Sequence, residues 1–353
     1  MDFDQLIRFG VEQGASDVHL QTGAAPLLRI NGQIRTVDAP PVADPDLRQF
    51  ILSIKHGMTP EALNQAMYEG LDFSYAIPGL SRFRCNVYSH MATPALVMRI
   101  VGLEIRSIDD LKLPEVLKTI TLTLRGLTLL TGTTGSGKST TLAAMIDLIN
   151  RTYRCKIITI EDPIEYMHTN QMAMISQLEL GQDTPSFEHG LRQALRQDPD
   201  VILVGELRDS ESMRMALRAA DTGHQVLATV HSTNSAQTIE RILALVPPAE
   251  RSIATSQLAS TLEAIISQRL AVTIDGNRRA AMEILRGGPV TFKYILENRL
   301  GDLAEFIATR EEGMQRFDQH LLELHNQKVI SDTEAMRLAT NPEAVARGMR
   351  GFH

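Results

Sequence analysis

Leu127-Thr128-Leu129-Leu130-Thr131-Gly132-Thr133-Thr134-Gly135-Ser136-Gly137-Lys138-Ser139 is the stretch on which the fold turns. An apolar strand over 126–130 runs into a Gly-x-x-x-x-Gly-Lys-Ser loop, and a helical stretch over 139–150 leaves it. Glycines let a backbone wrap a phosphate with successive N–H groups turned inward, and the helix N-terminus adds a favourable dipole. In that arrangement Lys138 reaches the β- and γ-phosphates and the Ser139 hydroxyl ligates Mg²⁺. Thr133, Thr134, Gly135, Ser136, Gly137, Lys138 and Ser139 are therefore the expected contacts of a nucleoside triphosphate. Thr140 either touches the α-phosphate or faces solvent.

Working outward, strands and helices alternate. Strands are expected over 156–160, 201–204 and 225–230, with helices over 187–197 and 210–220 between them. Alternation of this kind gives an α/β sheet with parallel crossovers, and ligands bind at the carboxyl ends of its strands. Three sets of polar residues fall at that edge. Val201-Ile202-Leu203-Val204 leads through Gly205 to Glu206, an acid placed to hold Mg²⁺ or to act as base. The strand 156–160 is followed by Glu161-Asp162-Pro163-Ile164-Glu165. One of those carboxylates can activate the attacking water, and spacing alone does not say which. His231 follows Thr229-Val230 and is placed to sense a γ-phosphate. His224 begins the same strand, a position that suits a cap or a packing role.

The first 105 residues form a separate α+β unit, with an Asn31-Gly32 hairpin turn and strands over 73–76, 81–88 and 95–100. Arg82 and Arg84 share one strand face by period two, and Arg99 lies on the next strand. Such arginines either reach a phosphate across an interface or cover a solvated face. The polar stretch 106–115 is read as a linker. The second domain then spans 116–353 and becomes mostly helical from about 249, including one long helix over 249–270. The tail 348–353 is expected to lack regular structure.

The 353 residues carry a formal net charge of −7, which argues against a dedicated nucleic-acid partner. Two cysteines, Cys85 and Cys155, exclude a four-cysteine zinc site and a disulfide framework. No apolar run is long enough to span a membrane, and the acidic start lacks the features of a signal peptide, so a cytoplasmic location is expected.

Taken together, the motifs resemble those of the secretion ATPase superfamily, and within it the type IV pilus retraction (PilT-like) ATPases. The resemblance rests on Gly14-Ala15-Ser16-Asp17-Val18-His19-Leu20, the loop at 132–139, the Asp box at 160–166, Asp198-Pro199-Asp200 leading to Glu206, Arg208-Asp209, and the His box at 222–224 and 229–231. Gly313-Met314-Gln315-Arg316-Phe317-Asp318 adds to it. The resemblance implies a PAS-like α+β N-terminal domain followed by a RecA-like P-loop ATPase domain with a helical C-terminal part. It further implies a homohexamer that hydrolyses ATP with Mg²⁺, drives pilus retraction and twitching motility through an inner-membrane platform protein, and is recruited to that membrane's cytoplasmic face. By the same carry-over Glu165 becomes the catalytic base, Glu206 the Walker B acid, and His224 and His231 the His-box residues, while Arg82, Arg84 and Arg99 fall in the segment that supplies arginines to the nucleotide. Pilus-assembly and type II secretion ATPases usually carry a four-cysteine zinc element and extra N-terminal domains, so two cysteines and a short N-terminal domain favour the retraction branch. Pro289-Val290-Thr291-Phe292-Lys293-Tyr294-Ile295 departs from the motif many retraction ATPases carry there. An accessory, PilU-like retraction ATPase working with a paralogue is therefore the alternative. A secretion ATPase, a RecA-like nucleic-acid translocase and a non-hydrolysing regulatory subunit are the further rivals.

Overall fold

The computed structural model describes residues 1–30, 32–55, 57–101 and 105–350. Asn31, named above in a hairpin turn, lies outside these residues, as does the tail from 351. The chain divides into two compact units, Met1–Glu104 with Glu165–Met167, and Ile105–Ile164 with His168–His353.

Among the described residues the first unit is one antiparallel sheet with three helices. Strands β1 (Asp17–Gln21), β2 (Leu27–Ile30), β3 (Gln33–Thr36), β4 (Leu71–Ile77), β5 (Ser81–His90) and β6 (Thr93–Val101) stand in the order β3-β2-β1-β6-β5-β4. Helices α1 (Phe3–Glu12), α2 (Asp44–Ile54) and α3 (Pro60–Glu69) supply Ile7, Leu47, Ile51 and Leu63 to a core that also holds Leu20, Phe83 and Met98. On β5 the alternation is regular: Ser81, Phe83, Cys85 and Val87 are buried, while Arg82 is half-buried and Arg84 exposed between them. The two arginines therefore share the outward face.

The second unit is built on seven strands, β7 (Gly126–Thr131), β8 (Lys156–Glu161), β9 (Met174–Glu179), β10 (Val201–Val204), β11 (Gln225–Val230), β12 (Leu262–Val272) and β13 (Arg278–Arg286), in the order β13-β12-β7-β11-β10-β8-β9. All neighbours are parallel except β12 and β13. Every residue of β7, β10 and β11 is buried. That is why these strands read as mostly apolar runs and not as alternations. Helices α4 (Val116–Thr121), α5 (Lys138–Thr152), α6 (Phe187–Ala194), α7 (Ser210–Asp221), α8 (Ser235–Leu245) and α9 (Arg251–Thr261) cover the sheet, and α10 (Pro289–Leu296), α11 (Leu303–Ala308), α12 (Phe317–Asn326), α13 (Asp332–Leu338) and α14 (Pro342–Met349) follow.

Three sequence expectations change. The long helix expected over 249–270 ends at Thr261, and the rest is strand β12, hydrogen-bonded to β7 on one side and β13 on the other. Ile265 and Ile266 are fully buried there, and pairing on both edges outweighs a local pattern equally suited to a helix. The part from 249 onward is therefore helical only around a two-stranded extension of the central sheet. Residues 106–115, read as a linker, belong to the second unit: Ile108 is buried and packs in the same core as Leu117, with Leu111 and Leu113 against it. The tail is helical as far as Met349.

Candidate active site

The parallel register brings the strand ends together. Val230 of β11 pairs with Thr131 of β7, and Val204 of β10 pairs with both Ala228 of β11 and Ile160 of β8. The phosphate loop, Glu161, Glu206 and His231 thus leave the sheet at one edge.

The loop turns on Gly132, with φ of +144°, and Gly137, with φ of +88° at the start of α5. A Cβ on Gly132 would lie 2.4 Å from the Gln268 backbone carbonyl oxygen, so that position admits no side chain, while one on Gly137 would both displace the Gln268 amide, 2.8 Å away, and strain a left-handed backbone. Thr133, Thr134 and Gly135 form an exposed crown, while Ser136 and Lys138 are buried beneath it. Lys138 Nζ donates to the carbonyls of Gly132 at 2.9 Å and Thr133 at 3.0 Å. Ser139 and Thr140 are half-buried in the first turn of α5.

Glu206 is held from two sides. Arg208 Nη2 lies 2.6 Å from Oε2 and His231 Nε2 3.2 Å from Oε1. Partial burial pushes this carboxyl up, but the Arg208 hydrogen bond and the charges of His231, Arg208 and Lys138 outweigh it and hold it below the usual range. Glu206 is therefore an anion at neutral pH and can act as a cation ligand or electrostatic partner. Arg208 thereby bridges Glu206 and Asp162.

The carboxylates of the Asp box separate by environment. Glu161 closes β8 and accepts hydrogen bonds from Thr159 at 2.6 Å and Gln177 at 3.2 Å. Glu165 is exposed and groups with the first unit. Just beyond it, burial pushes the His168 imidazole down to about 4. His168 is neutral in the folded chain and takes a proton near 6.5 when unfolded. Its contribution to stability is whole above pH 6.5 and fades as pH falls toward 4. At pH 5 the loss is about 2 kcal/mol. Urea unfolding at pH 7.5 and pH 5.0 should show the wild type losing about that much more than His168→Gln. Equal losses in the two proteins would rule this out.

His224 does not join this edge. Parallel β11 begins at Gln225 opposite Gly126, the first residue of β7, so His224 stands at the far end of the sheet from the phosphate loop. Its Nδ1 sits 3.0 Å from the Ala219 carbonyl and 3.2 Å from Thr222 Oγ1, the contacts of a turn residue closing α7. Within its own chain His224 thus lies apart from Glu206 and His231.

Arg82, Arg84 and Arg99 lie in the first unit. Arg84 faces Arg99 in register, Arg99 faces Asp17, and Asp17 faces Arg29. Asp17 is buried and accepts from Arg99 Nε at 3.0 Å. Burial pushes its carboxyl up, but hydrogen bonds from Ser16 and Arg99 and the Arg99 charge hold it below the usual range. Asp17 thus pairs with two of a row of three arginines, Arg29 at 3.7 Å and Arg99, and Arg99 still exposes 67% of its side chain. Arg82 Nη1 lies 3.6 Å from the Met167 sulfur.

Two features escaped sequence reading. Gln268 of β12 donates to the Ser136 carbonyl at 2.7 Å and accepts from Thr141 Oγ1 at 2.9 Å, tying the phosphate loop to α5. A cavity of about 640 Å³ opens beside Gly137, Thr140 and Thr141, with Arg106, Lys112, Arg278 and Lys328 among its lining. Its volume suits a nucleoside. Its walls come from stretches more than two hundred residues apart, so no local motif announces it.

Among the described residues no group of three His, Cys, Asp or Glu is placed to hold a metal ion. A Mg²⁺ carried with nucleotide needs no such cage. It keeps waters and phosphate oxygens and takes one or two protein oxygens, and the Ser139 hydroxyl and the Glu206 carboxylate are oxygen donors of the right kind.

The family model of the type II/IV secretion system protein matches residues 2–331. The chain is 40% identical to the type IV pilus retraction ATPase PilT of Pseudomonas aeruginosa, over 97% of this chain and 99% of that one. It is 38% identical to the type IV pilus ATPase PilU of the same organism, over 95% of this chain and 88% of that one. A crystal structure of the pilus retraction motor PilT with bound ADP matches with a TM-score of 0.91 at 38% identity, covering 98% of this chain and 99% of that one.

Proposed function

Because the chain belongs to the type II/IV secretion system protein family, we propose that it is an ATP-hydrolysing motor that powers type IV pilus retraction. The observation that carries this reading is the complete phosphate loop beside Glu206 and His231 at one sheet edge, in a chain similar end to end to a retraction ATPase. The loop N–H groups and Lys138 take the β- and γ-phosphates, Ser139 and Glu206 hold Mg²⁺, and the cavity beside Thr140 receives the nucleoside. Mg²⁺ supplies neutralisation of the phosphate charge that develops in the transition state. Glu165 takes the proton of the attacking water, and His231, through its contact with Glu206, reports the state of the γ-phosphate. Arg82, Arg84 and Arg99 supply positive charge to phosphates from the first unit.

In this reading six copies form a ring and pass the work of hydrolysis to an inner-membrane platform protein. No helix among the described residues is long and apolar enough to cross a membrane, so the chain would be recruited to the platform.

The second reading is the accessory motor. The identity to PilU nearly equals that to PilT, and α10 carries Pro289–Ile295 where the resemblance leads one to expect a different motif. Single-cell imaging of labelled pili in a deletion strain separates the two. Many pili that no longer retract are expected. Normal retraction would move the chain to the accessory role, and loss of all pili would overturn the retraction reading.

A further inference from the structure

Between β8 and β9 the chain makes an excursion whose middle, Glu165–Met167, groups with the first unit while its neighbours Ile164 and His168 stay with the second. Both ends of the excursion are held by side chains of β9. The Ile164 N–H donates to Glu179 Oε2 at 3.0 Å, and the His168 N–H donates to Gln177 Oε1 at 2.9 Å. Gln177 and Glu179 lie two apart on one strand and so project to the same side. They belong to an edge strand that, among the described residues, pairs with β8 alone, with Glu179 in register with Glu161.

Glu179 is only 3% exposed. A buried carboxylate is costly unless its oxygens are filled, and an apolar side chain would be cheaper at a strand end that did nothing else. Its oxygens are filled by Ile164 N–H and by Gln182 Nε2 at 2.5 Å. Gln177 also donates to Glu161, so the same strand restrains the carboxylate that closes β8.

We infer that Gln177 and Glu179 are positioning residues that clamp the two ends of the Glu165 excursion and so set where the base stands. The inference rests on Glu165 being that base. A water-activating carboxylate on an exposed loop is useful only if its backbone is pinned, because misplacement by about 1 Å costs on the order of 10²-fold.

The test compares Glu179→Leu, which removes the acceptor, with Glu179→Gln, which keeps a carbonyl for the Ile164 N–H. Glu165→Gln is run beside them, and all are assayed as full chains. Glu179→Leu should lower kcat by on the order of 10²-fold, with KM for ATP and affinity for a fluorescent ADP analogue changed less than about threefold. Glu179→Gln should restore kcat to within about fivefold of wild type. Gln177→Ala should fall in the same direction as Glu179→Leu. Equal loss in the Leu and Gln variants, or loss of ADP affinity together with kcat, would show a role in holding the unit together and overturn the inference. If Glu165→Gln is inactive while Glu179→Leu turns over normally, the clamp alone fails. If Glu165→Gln is active, the base assignment fails and the clamp with it.

Discussion

Lys138→Ala should reduce ATP turnover by on the order of 10³-fold or more and weaken nucleotide binding with it. The substitution removes two things at once. One is the buried ammonium that meets the β- and γ-phosphates in the proposed site. The other is the pair of hydrogen bonds from Nζ to the Gly132 and Thr133 carbonyls, which hold the loop in its wrapped form. Hydrogen bonds from a charged donor are worth about 1.5–3 kcal/mol each, so the loop should loosen as well as lose charge. The helix itself should survive, because alanine is the best helix former and the position opens α5. Steady-state phosphate release and titration with a fluorescent ATP analogue measure the two effects separately. Turnover within tenfold of wild type would remove Lys138 from the site.

Glu165→Gln should lower kcat by about 10²–10⁴-fold while ATP still binds. The side chain is exposed, so the amide costs the fold little, and it keeps the shape of the carboxylate while abolishing its basicity. Glu161→Gln is the informative companion. Glu161 already accepts from Thr159 and Gln177, which favours a structural anion at the strand end over a free base. The expected pattern is a collapse of turnover in Glu165→Gln and a smaller loss in Glu161→Gln. The reverse pattern would hand the role of base to Glu161.

The phosphate loop was legible because its chemistry demands consecutive residues, and consecutive residues are what a sequence displays. The same holds for Glu206 and His231, each announced by an apolar strand ending in a polar residue. Arg82 and Arg84 could be placed on one face by counting alone. The strand β12 was not legible, since Leu262–Val272 carries no glycine or proline and suits a helix as well as a strand. Its fate is settled by β7 and β13, the first of which lies more than a hundred residues away. Gln268 was invisible for the same reason, as its meaning depends on Ser136 and Thr141. For His224 position and resemblance pointed apart: its place at the start of a parallel strand suited a cap or packing role, which its contacts match, whereas the resemblance set it beside His231.

The grouping of Glu165–Met167 with Met1–Glu104 has a practical consequence for dissecting the protein. A single cut in the chain cannot part the two units cleanly, since the polypeptide passes from one to the other at 104/105, again at 164/165, and back at 167/168. A fragment starting at Ile105 would retain the loop, Glu206 and His231, yet carry Glu165–Met167 without the unit with which the tripeptide groups. Weak hydrolysis by such a truncated protein would therefore say nothing against its nucleotide site, and exchanging N-terminal units between relatives would require the tripeptide to travel with them.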